Sequence, residues 1–284
     1  MNQPINSAWP VVLSIAGFDP SGGAGIVADL KTFAAHNCYG VAAITAMTVQ
    51  NSQGVTSVHP VETPVLRESI LSLLADGRVK ALKIGMLGNK ATAEVICEIL
   101  ELYPDLPAVL DPVGRSSNDF DLLDAAGLEF IRRQLLSRVA LVTPNMAEAA
   151  ALAEMPVDNL DSMKAAARKL VDMGARAVVV TGGHLDKAID VFFDGTTTES
   201  FAGDHIKPDN THGTGCTFSS AVTANLALGR HLRDAVVLAK AYVVEAIRQA
   251  FPVGPGRIPL NHFYRLMQTT RPSDHSPAVA ETVV

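Results

Sequence analysis

The sequence has few cysteines and lacks any pattern that would pair them. Cys38, Cys97 and Cys216 are odd in number and widely spaced, which excludes a disulfide framework and a Cys-x-x-Cys metal site. The first ten residues lack the basic start and apolar core of a signal peptide. These absences predict a reduced, cytoplasmic setting.

Positive charge is also scarce. The 284 residues include 23 Lys and Arg against 29 Asp and Glu, a net charge of −6, with no block of basic residues. Such a surface is not built to neutralise a nucleic-acid backbone, so nucleic acid is excluded as a partner. Any phosphorylated ligand must be held by something other than bulk positive charge.

Long apolar runs are missing as well. Charged residues, Pro or Gly interrupt every apolar stretch before the ~20 residues that a membrane-spanning helix needs, so no membrane span is expected. Hydrophobic residues nevertheless make up 48% of the chain and charged residues 18%. This composition predicts a large packed core and excludes a disordered chain.

What the sequence does contain is an alternation of short apolar strands with segments of helical period. We predict an α/β fold: three α/β/α layers around a mainly parallel sheet, because each strand is apolar on both faces. An antiparallel hairpin is expected at one edge, at residues 190–193 and 199–201. Predicted strands span residues 11–16, 41–49, 81–84, 108–110, 139–142 and 177–180. Predicted helices span residues 25–36, 64–74, 91–102, 122–136, 162–173, 217–228 and 233–250.

The chain has no Pro- or Ser-rich linker and no internal repeat, which favours one domain over residues 11–268. Residues 1–10 are then an N-terminal extension. Residues 269–284 mix Pro, Ser, Ala and acids without periodicity and are expected to form a disordered tail.

Polar and glycine-rich segments follow the predicted strands, at the end of the sheet where α/β proteins bind ligands. Residues 23–28, Gly-Ala-Gly-Ile-Val-Ala, satisfy a loose dinucleotide pattern. A dinucleotide-binding turn follows its strand directly, whereas here the strand ends near Ala16 and leaves six residues before Gly23. The next strand ends at Gln50 instead of at an acidic residue suited to a ribose. Both features disfavour dinucleotide binding. Asp29 then either complements the helix N-terminus or contacts a ligand.

The most informative segment is residues 211–217, Thr-His-Gly-Thr-Gly-Cys-Thr. Its two glycines allow backbone N–H groups to turn inward, and the positive end of the next helix points at the same place. Gly213, Thr214 and Gly215 are therefore expected to form an anion hole that needs no lysine. A helix terminus lowers a thiol pKa, so Cys216 is a candidate base. The alternative is a glycine-rich helix entry with a small buried cysteine; no GxxxxGK[ST] motif occurs.

Asn145 and Glu148 have the spacing of a helix capping box. Asp111 ends a strand and pairs with Glu148 as a candidate set for Mg²⁺, bound through water. Gln50, at another strand end, has both a donor and an acceptor with which to recognise an amino-substituted heterocycle. His184 and His212 lie in motif-bearing loops, but their spacing does not indicate zinc.

Several of these segments together resemble the hydroxymethylpyrimidine/phosphomethylpyrimidine kinase family of thiamin biosynthesis, in the ribokinase-like superfamily. The likeness runs from about Val11 to Phe263. The segments that carry it are residues 14–17, 19–26, 28–33, 83–87, 211–217, 253–256 and 261–263.

The resemblance implies a ribokinase-like fold without a separate lid domain, MgATP as the phosphate donor, and a homodimer. It also implies phosphorylation of 4-amino-5-hydroxymethyl-2-methylpyrimidine, and then of the monophosphate. Cys216 would be the catalytic base and residues 213–216 the anion hole. The pyrimidine would be held by Gly17, Asp29, Gln50, Met86 and Val113. Asp111 and Glu148 match positions associated with Mg²⁺ and phosphate, and Asn145 and Thr181 lie on the nucleotide side.

Three positions depart from the family pattern. Thr181 replaces a usual lysine, and residues 114–119 replace a usual Lys-Ser-Gly, so two cations expected near the polyphosphate are missing. Arg115 is the candidate substitute, because a guanidinium binds phosphate bidentately. Thr48 replaces an apolar residue of the pyrimidine pocket. The second phosphorylation is the step that these changes most affect.

Two other functions remain open. A pyridoxal or pyridoxine kinase of the same superfamily would share the core and the Gly-Thr-Gly-Cys loop, although the Thr-Val-Gln-Asn segment at residues 48–51 favours an aminopyrimidine. A non-catalytic pyrimidine sensor is the other alternative, and the presence of Cys216, Asp111 and Glu148 argues against it.

Overall fold

A nine-stranded sheet organises the molecule, in a computed structural model that describes residues 9–116, 118, 120–183, 188–203 and 211–269. The strand order is β3-β2-β1-β4-β5-β6-β7-β8-β9. Strands β2, β1, β4, β5, β6 and β7 run parallel to one another. Strand β3 is antiparallel at one edge, and the hairpin β8–β9 is antiparallel at the other. The predicted mainly parallel sheet and its edge hairpin are confirmed.

The strands of this sheet keep close to their predicted positions. Their bounds are β1 Val11–Phe18, β2 Tyr39–Asn51, β3 Gly54–Pro60, β4 Val79–Ile84, β5 Ala108–Leu110, β6 Leu141–Val142, β7 Val178–Val180, β8 Ala188–Phe193 and β9 Thr198–Gly203. A separate parallel pair, β10 Thr211–His212 and β11 Ile258–Pro259, joins the loop before the anion-hole segment to the C-terminal part of the chain.

Helices cover both faces of the sheet. They are α1 Gly25–Ala35, α2 Thr63–Ala75, α3 Lys90–Leu102, α4 Ala125–Phe130, α5 Met146–Ala153, α6 Leu160–Asp172, α7 Thr214–Ala227, α8 Leu232–Arg248 and α9 Tyr264–Thr269. In β1, Leu13 and Ile15 pack with the layer that contains α2 and α3, whereas Val12 packs against Phe33 of α1. The central strands β1, β5, β6 and β7 are buried on both faces, which is why their sequences are almost entirely apolar.

Helix α9 and strands β10 and β11 were not predicted, helix α5 was indicated only by its capping box, and two further elements differ from the predictions. Strand β3 was not predicted, because it is an edge strand whose outer side is polar and partly exposed. The single helix predicted over residues 122–136 instead begins at Ala125, where Asp124 caps it by accepting from Gly127 N at 2.6 Å. It then changes to a π-helical stretch, Ile131–Leu135, and a 3₁₀ turn, Leu136–Arg138.

Some sequence predictions fall beyond the part of the chain that the structure describes. They are the extension before Trp9, the tail after Thr269, and His184. Among the described residues, none of the helices has the length and apolarity needed to cross a membrane.

Candidate active site

An apolar wall forms at the carboxyl ends of β1, β4 and β5. A Cβ on Gly17 would lie 2.9 Å from Met86 Sδ, so the absence of a side chain at Gly17 is what lets Met86 approach. Met86 is buried with Ala46 and Leu122, and Val113 packs against this cluster. The structure thus brings Gly17, Met86 and Val113 together, as the sequence predicts for a ring-binding pocket.

Gln50 lies at the end of β2 and connects this region to the loop before α7. The terminal atoms of its side-chain amide lie 3.0 Å from His212 Nε2 and 3.2 Å from Thr48 Oγ1. His212 Nε2 is also 2.9 Å from Asp19 Oδ2. Asp19 and His212 are therefore site residues that the sequence reasoning did not select, although both lie in motifs that it singled out.

The two glycine-rich loops pack directly on each other. Gly213 is the N-cap of α7 and has a φ of 84°, and a Cβ there would lie 1.8 Å from Gly23 O. Only glycine satisfies both the positive φ and this close approach. Gly213 also offers no side chain to cap the N–H groups of Thr214, Gly215 and Cys216 in the first turn. Such a helix start is suited to an external anion, as predicted.

Beneath this loop lies a buried charge network centred on Lys83. Its ammonium is 3.0 Å from Asp29 Oδ2 and 3.9 Å from Asp111 Oδ2, and the lysine side chain is 0% exposed. A Cβ on Gly85 would lie 2.6 Å from Lys83 Nζ, so that glycine leaves room for the ammonium group. The signal in the sequence is a lysine inside an otherwise apolar predicted strand, and the sequence reasoning gave it no role.

The network shows which partners the Asp29 carboxylate has, and its contact with the pyrimidine stays a prediction. The Asp29 side chain is 0% exposed. Besides Lys83, it accepts hydrogen bonds from Ser14 Oγ at 2.6 Å and from Ser220 Oγ at 2.7 Å. Its carboxylate is therefore occupied below the crevice. It balances the charge of Lys83 instead of complementing the start of α1.

Cys216 faces this network, and its acidity differs from the prediction. Burial raises the pKa of the Cys216 thiol, the Lys83 ammonium opposes that rise, and the carboxylates of Asp111 and Asp29 add to it. The expectation that the helix terminus lowers this pKa is thus corrected. The thiol is protonated at neutral pH, and its hydrogen bond to Asp111 lowers the pKa of that carboxyl, which burial raises overall.

Asp111 and Glu148 form a pair of carboxyl groups that oppose each other's ionisation. Burial and then the charge of Asp111 raise the pKa of Glu148 to about 8. Glu148 Oε2 accepts from Asn145 N at 2.9 Å, and Asn145 Oδ1 accepts from Glu148 N at 2.9 Å, which confirms the predicted capping box.

Two carboxyl groups whose ionisation is opposed by burial fit a hydrated Mg²⁺ ion, because a bound cation would favour their charged forms and Mg²⁺ takes one or two carboxylates together with water and phosphate. Within the described ranges, no cluster of three or more His, Cys, Asp or Glu side chains could hold a metal ion. The remaining ligands would come from water and the nucleotide.

The residues predicted on the nucleotide side take up different positions. Asn145 and Thr181 pair at the ends of neighbouring strands, where Thr181 N donates to Pro144 O at 2.9 Å. Arg115 is exposed in the loop after β5, and its Nε lies 2.8 Å from Asp121 Oδ1. Its guanidinium is thus paired with an exposed carboxylate.

A cation does adjoin the first glycine-rich loop. Lys31 Nζ donates to Gly22 O at 2.9 Å, and the ammonium group is close enough to Asp19 for the two charges to interact. Sequence reasoning missed Lys31 because it counted lysines only at the positions where the family usually has them.

Comparisons with known proteins agree with this geometry. A family model described as phosphomethylpyrimidine kinase matches residues 19–261. The hydroxymethylpyrimidine/phosphomethylpyrimidine kinase of Aquifex aeolicus is 41% identical over 248 residues, which cover 87% of this chain and 97% of that protein.

Two solved structures share the fold. The ADP complex of Bacillus subtilis pyridoxal kinase has a TM-score of 0.83 at 36% identity, covering 92% of this chain and 100% of the other. The phosphomethylpyrimidine kinase of Clostridium difficile has a TM-score of 0.75 at 36% identity, covering 84% and 99%.

The fold and the site together define a small-molecule kinase with the ribokinase-like α/β/α architecture. The chain belongs to the phosphomethylpyrimidine kinase family. Its assignment as a kinase of thiamin biosynthesis, made from sequence motifs, is confirmed.

Proposed function

We propose that the protein transfers the γ-phosphoryl group of ATP to 4-amino-5-hydroxymethyl-2-methylpyrimidine, and then to the resulting monophosphate. The observation that carries this proposal is the contact between Gln50 and His212 at 3.0 Å. Through this contact the Gln50 amide, which would recognise the ring, lies beside the proposed anion-hole loop, which begins at Gly213, the residue after His212. A hydroxymethyl group on a ring at Gln50 and a phosphoryl group at that loop would then be neighbours.

Positioning and charge neutralisation dominate phosphoryl transfer, and both are built into this site. Gly17, Met86 and Val113 would hold the ring, and the N–H groups of residues 213–216 would bind the transferring phosphoryl group. Asp111 and Glu148 would hold Mg²⁺ through water. When bound, the ion would neutralise polyphosphate charge.

Cys216 would accept the hydroxyl proton in the first step. Because the thiol is protonated at rest, its own proton must leave, and the hydrogen bond to Asp111 supplies the path. The thiol proton would end on the Asp111 carboxylate, which thereby becomes neutral, and Lys83 would stabilise the negative charge that appears on sulfur in passing. The second step needs no alcohol deprotonation, since the attacking group is already a phosphate oxygen.

A pyridoxal kinase activity is the second candidate, because the solved pyridoxal kinase from Bacillus subtilis matches 92% of this chain with a TM-score of 0.83. A coupled ATP-consumption assay should offer hydroxymethylpyrimidine, its monophosphate and pyridoxal in parallel. We expect turnover of the first two. Turnover of pyridoxal alone would overturn the proposal, and turnover of none would support a pyrimidine sensor.

Arg115 is proposed to exchange Asp121 for phosphate when the more highly charged second substrate binds. Arg115→Ala should raise the KM for ATP and for the monophosphate about three- to tenfold, the range for an exposed charge-assisted contact. Arg133→Ala is the matched control, because that arginine is also exposed and paired with a glutamate, Glu129. Unchanged KM values in Arg115→Ala would reject this role.

The finer expectations are proposals too. We propose that the enzyme is a homodimer, as the resemblance implies, and that it is cytoplasmic, as the cysteine pattern and the first ten residues indicate. Light scattering after size-exclusion chromatography would test the dimer, because a mass near that of one 284-residue chain would contradict it.

A further inference from the structure

The side-chain amide of Gln50 has the same shape in two orientations, which exchange its oxygen and its nitrogen. In the structure its Nε2 lies 3.0 Å from His212 Nε2 and its Oε1 lies 3.2 Å from Thr48 Oγ1. Because the oxygen only accepts hydrogen bonds and the nitrogen only donates them, these two neighbours decide which orientation is stable. That orientation in turn decides which pattern of groups Gln50 presents to a ring in the crevice.

Asp19 determines what His212 can offer. Asp19 Oδ1 accepts from Ser21 N at 2.8 Å and from Ser21 Oγ at 2.7 Å, and its Oδ2 accepts from Ala24 N at 2.9 Å. Although burial raises the pKa of Asp19, hydrogen bonds from His212 and Ser21 hold it below its ordinary value. An ionised carboxylate only accepts, so His212 Nε2, 2.9 Å from Oδ2, must carry a hydrogen.

The His212 ring is held in place by its surroundings. A Cβ on Gly23 would lie 2.4 Å from His212 Cδ2, which shows how closely the ring lies on that glycine. Nε2 carries its hydrogen in both the neutral Nε2 tautomer and the imidazolium ion, so it has no lone pair with which to accept from Gln50 and can only share that one hydrogen between Asp19 Oδ2 and Gln50. The oxygen and nitrogen of an amide are assigned from their partners, and these partners require the orientation in which the oxygen of Gln50, instead of its Nε2, faces His212.

Thr48 favours the same orientation from the other side. Its hydroxyl has one hydrogen, which it donates to Phe18 O at 2.9 Å. Towards Gln50 it can therefore only accept, and the amide nitrogen is the matching partner. Thr48 and His212 together leave Gln50 with one free N–H on the Thr48 side and one free lone pair on the His212 side.

We propose that Asp19, acting through His212, and Thr48 are positioning residues that fix the Gln50 amide. The fixed amide selects a ring edge on which an N–H donor stands beside a nitrogen acceptor. The edge of a 4-aminopyrimidine has this pattern. The 4-oxo analogue reverses it, because its C=O accepts and its ring N–H donates. The inference rests on the proposed function, and it assigns the selectivity to residues outside the amide itself.

The binding test compares two ligands that differ only in this edge. Calorimetric Kd values are measured for 4-amino-5-hydroxymethyl-2-methylpyrimidine and for its 4-oxo analogue, with wild-type protein, Thr48→Val, Thr48→Ser and Thr56→Val. Thr48→Val should reduce the preference for the amino ligand about fivefold, the effect of one hydrogen bond. Thr48→Ser should restore it. Thr56→Val, exposed on β3, should leave it unchanged.

A second variant, Asp19→Asn, tests the effect that Asp19 has on Gln50 through His212. In Asp19→Asn the amide nitrogen that replaces Oδ2 can donate to His212 Nε2, which would make that atom an acceptor and turn the Gln50 amide over. The preference for the amino ligand should then fall at least tenfold, with the KM for the amino substrate changing more than kcat. Equal preference in wild type, Thr48→Val and Asp19→Asn would overturn the proposal.

One measurement reports the protonation of His212 in the wild-type protein itself. Nitrogen-15 NMR of the histidine-labelled full chain, with His212→Phe to assign the signal, should show Nε2 protonated. An Nδ1–H tautomer with bare Nε2 would overturn the proposal. Its failure can be told from failure of the proposed function, because a wild-type protein that neither binds nor phosphorylates the amino ligand refutes the function itself.

Discussion

At the scale of single residues, the site depends on side chains whose charge is balanced below the crevice. Lys83 and Asp29 are both fully buried and 3.0 Å apart. Removing one member of such a pair leaves an uncompensated charge in a medium that solvates it poorly, whereas removing both charges is much less costly.

Lys83→Met alone should therefore lower the free energy of unfolding by about 3–5 kcal/mol. The double variant Lys83→Met/Asp29→Asn should recover most of that loss, because the new amide at position 29 would keep partners in Ser14 and Ser220. Urea unfolding of the single and double variants measures the difference. A double variant as unstable as Lys83→Met would show that the two residues are not coupled.

Cys216 should matter more for the first phosphorylation than for the second, because only an alcohol must lose a proton as it attacks. Cys216→Ala should lower the single-turnover rate with the hydroxymethyl substrate about 10²–10⁴-fold, the usual range for a general base, and the rate with the monophosphate by less. Cys97→Ala, in helix α3 away from the site, serves as the control. Equal losses in both steps would refute this division of roles.

At the scale of secondary-structure elements, the start of helix α7 is defined by contact with the loop before α1. Gly213 combines a positive φ with a backbone atom of Gly23 where its Cβ would be. Gly229, just beyond the other end of α7, has a similar φ of 79° but no atom within 4 Å of its Cβ position. A side chain at either glycine would strain the backbone, but only a side chain at Gly213 would also clash with another atom.

Gly213→Ala should raise the KM for ATP by at least about tenfold, because the anion-hole N–H groups must move when the two loops separate. Gly229→Ala should cost only the strain of a left-handed residue, about 1–2 kcal/mol of stability, and leave KM unchanged. Steady-state kinetics and urea unfolding distinguish the two effects. If both variants show the same KM, the contact with Gly23 does not shape the anion hole.

At the scale of the whole molecule, stability depends on histidines buried at the layer that holds α1, α7 and α8. Burial lowers the pKa of His36 to about 4, with the charge of Arg265 contributing. Burial also lowers the pKa of His262 to about 4, and Lys31 contributes to that shift. Both imidazoles are neutral in the folded protein at neutral pH.

The folded protein should lose stability as the pH falls from about 6.5 to about 4. In this window the unfolded chain binds protons that the folded histidines do not, so each of the two contributes a loss of up to about 3 kcal/mol. Denaturant unfolding at pH 7 and pH 4.5 measures the fall. His36→Gln, which cannot titrate, should remove about half of the histidine contribution, whereas His59→Gln at an exposed position should not. If the free energy of unfolding falls equally between pH 7 and pH 4.5 in the wild type, His36→Gln and His59→Gln, this assignment is contradicted.

Much of the fold could be predicted from the sequence because local patterns encode it. Strands buried on both faces are continuously apolar, so the predicted β1, β4 and β5 lie within a few residues of the observed strands. The capping box of Asn145 and Glu148 is predictable from its spacing, since it involves only residues three apart. Strand β3 was missed, because its pairing with β2 is all that distinguishes its polar residues from a loop.

Some features of the candidate site could likewise be predicted from local sequence, and others could not. The motifs identified the glycine-rich loops, Gln50 and Cys216, because each lies in a short segment whose residues are fixed by local geometry. Tertiary structure alone decided the roles of Lys83 and Asp29, which are 54 residues apart and meet only when α1 packs on β1, the strand beside β4. It also decided the acidity of Cys216, because burial and two distant carboxylates outweigh the local effect of the helix end.

The sequence by itself determined that this protein has a mainly parallel α/β sheet and lacks a basic surface, since composition and apolar strands are properties of the chain. Only the tertiary structure decided where its few cations lie. Lys31 of helix α1 reaches the first glycine-rich loop, and Lys83 is buried against Asp29, where the attraction between the two charges is stronger than it would be in water. Desolvation is a property of the folded molecule, so no local pattern reports it.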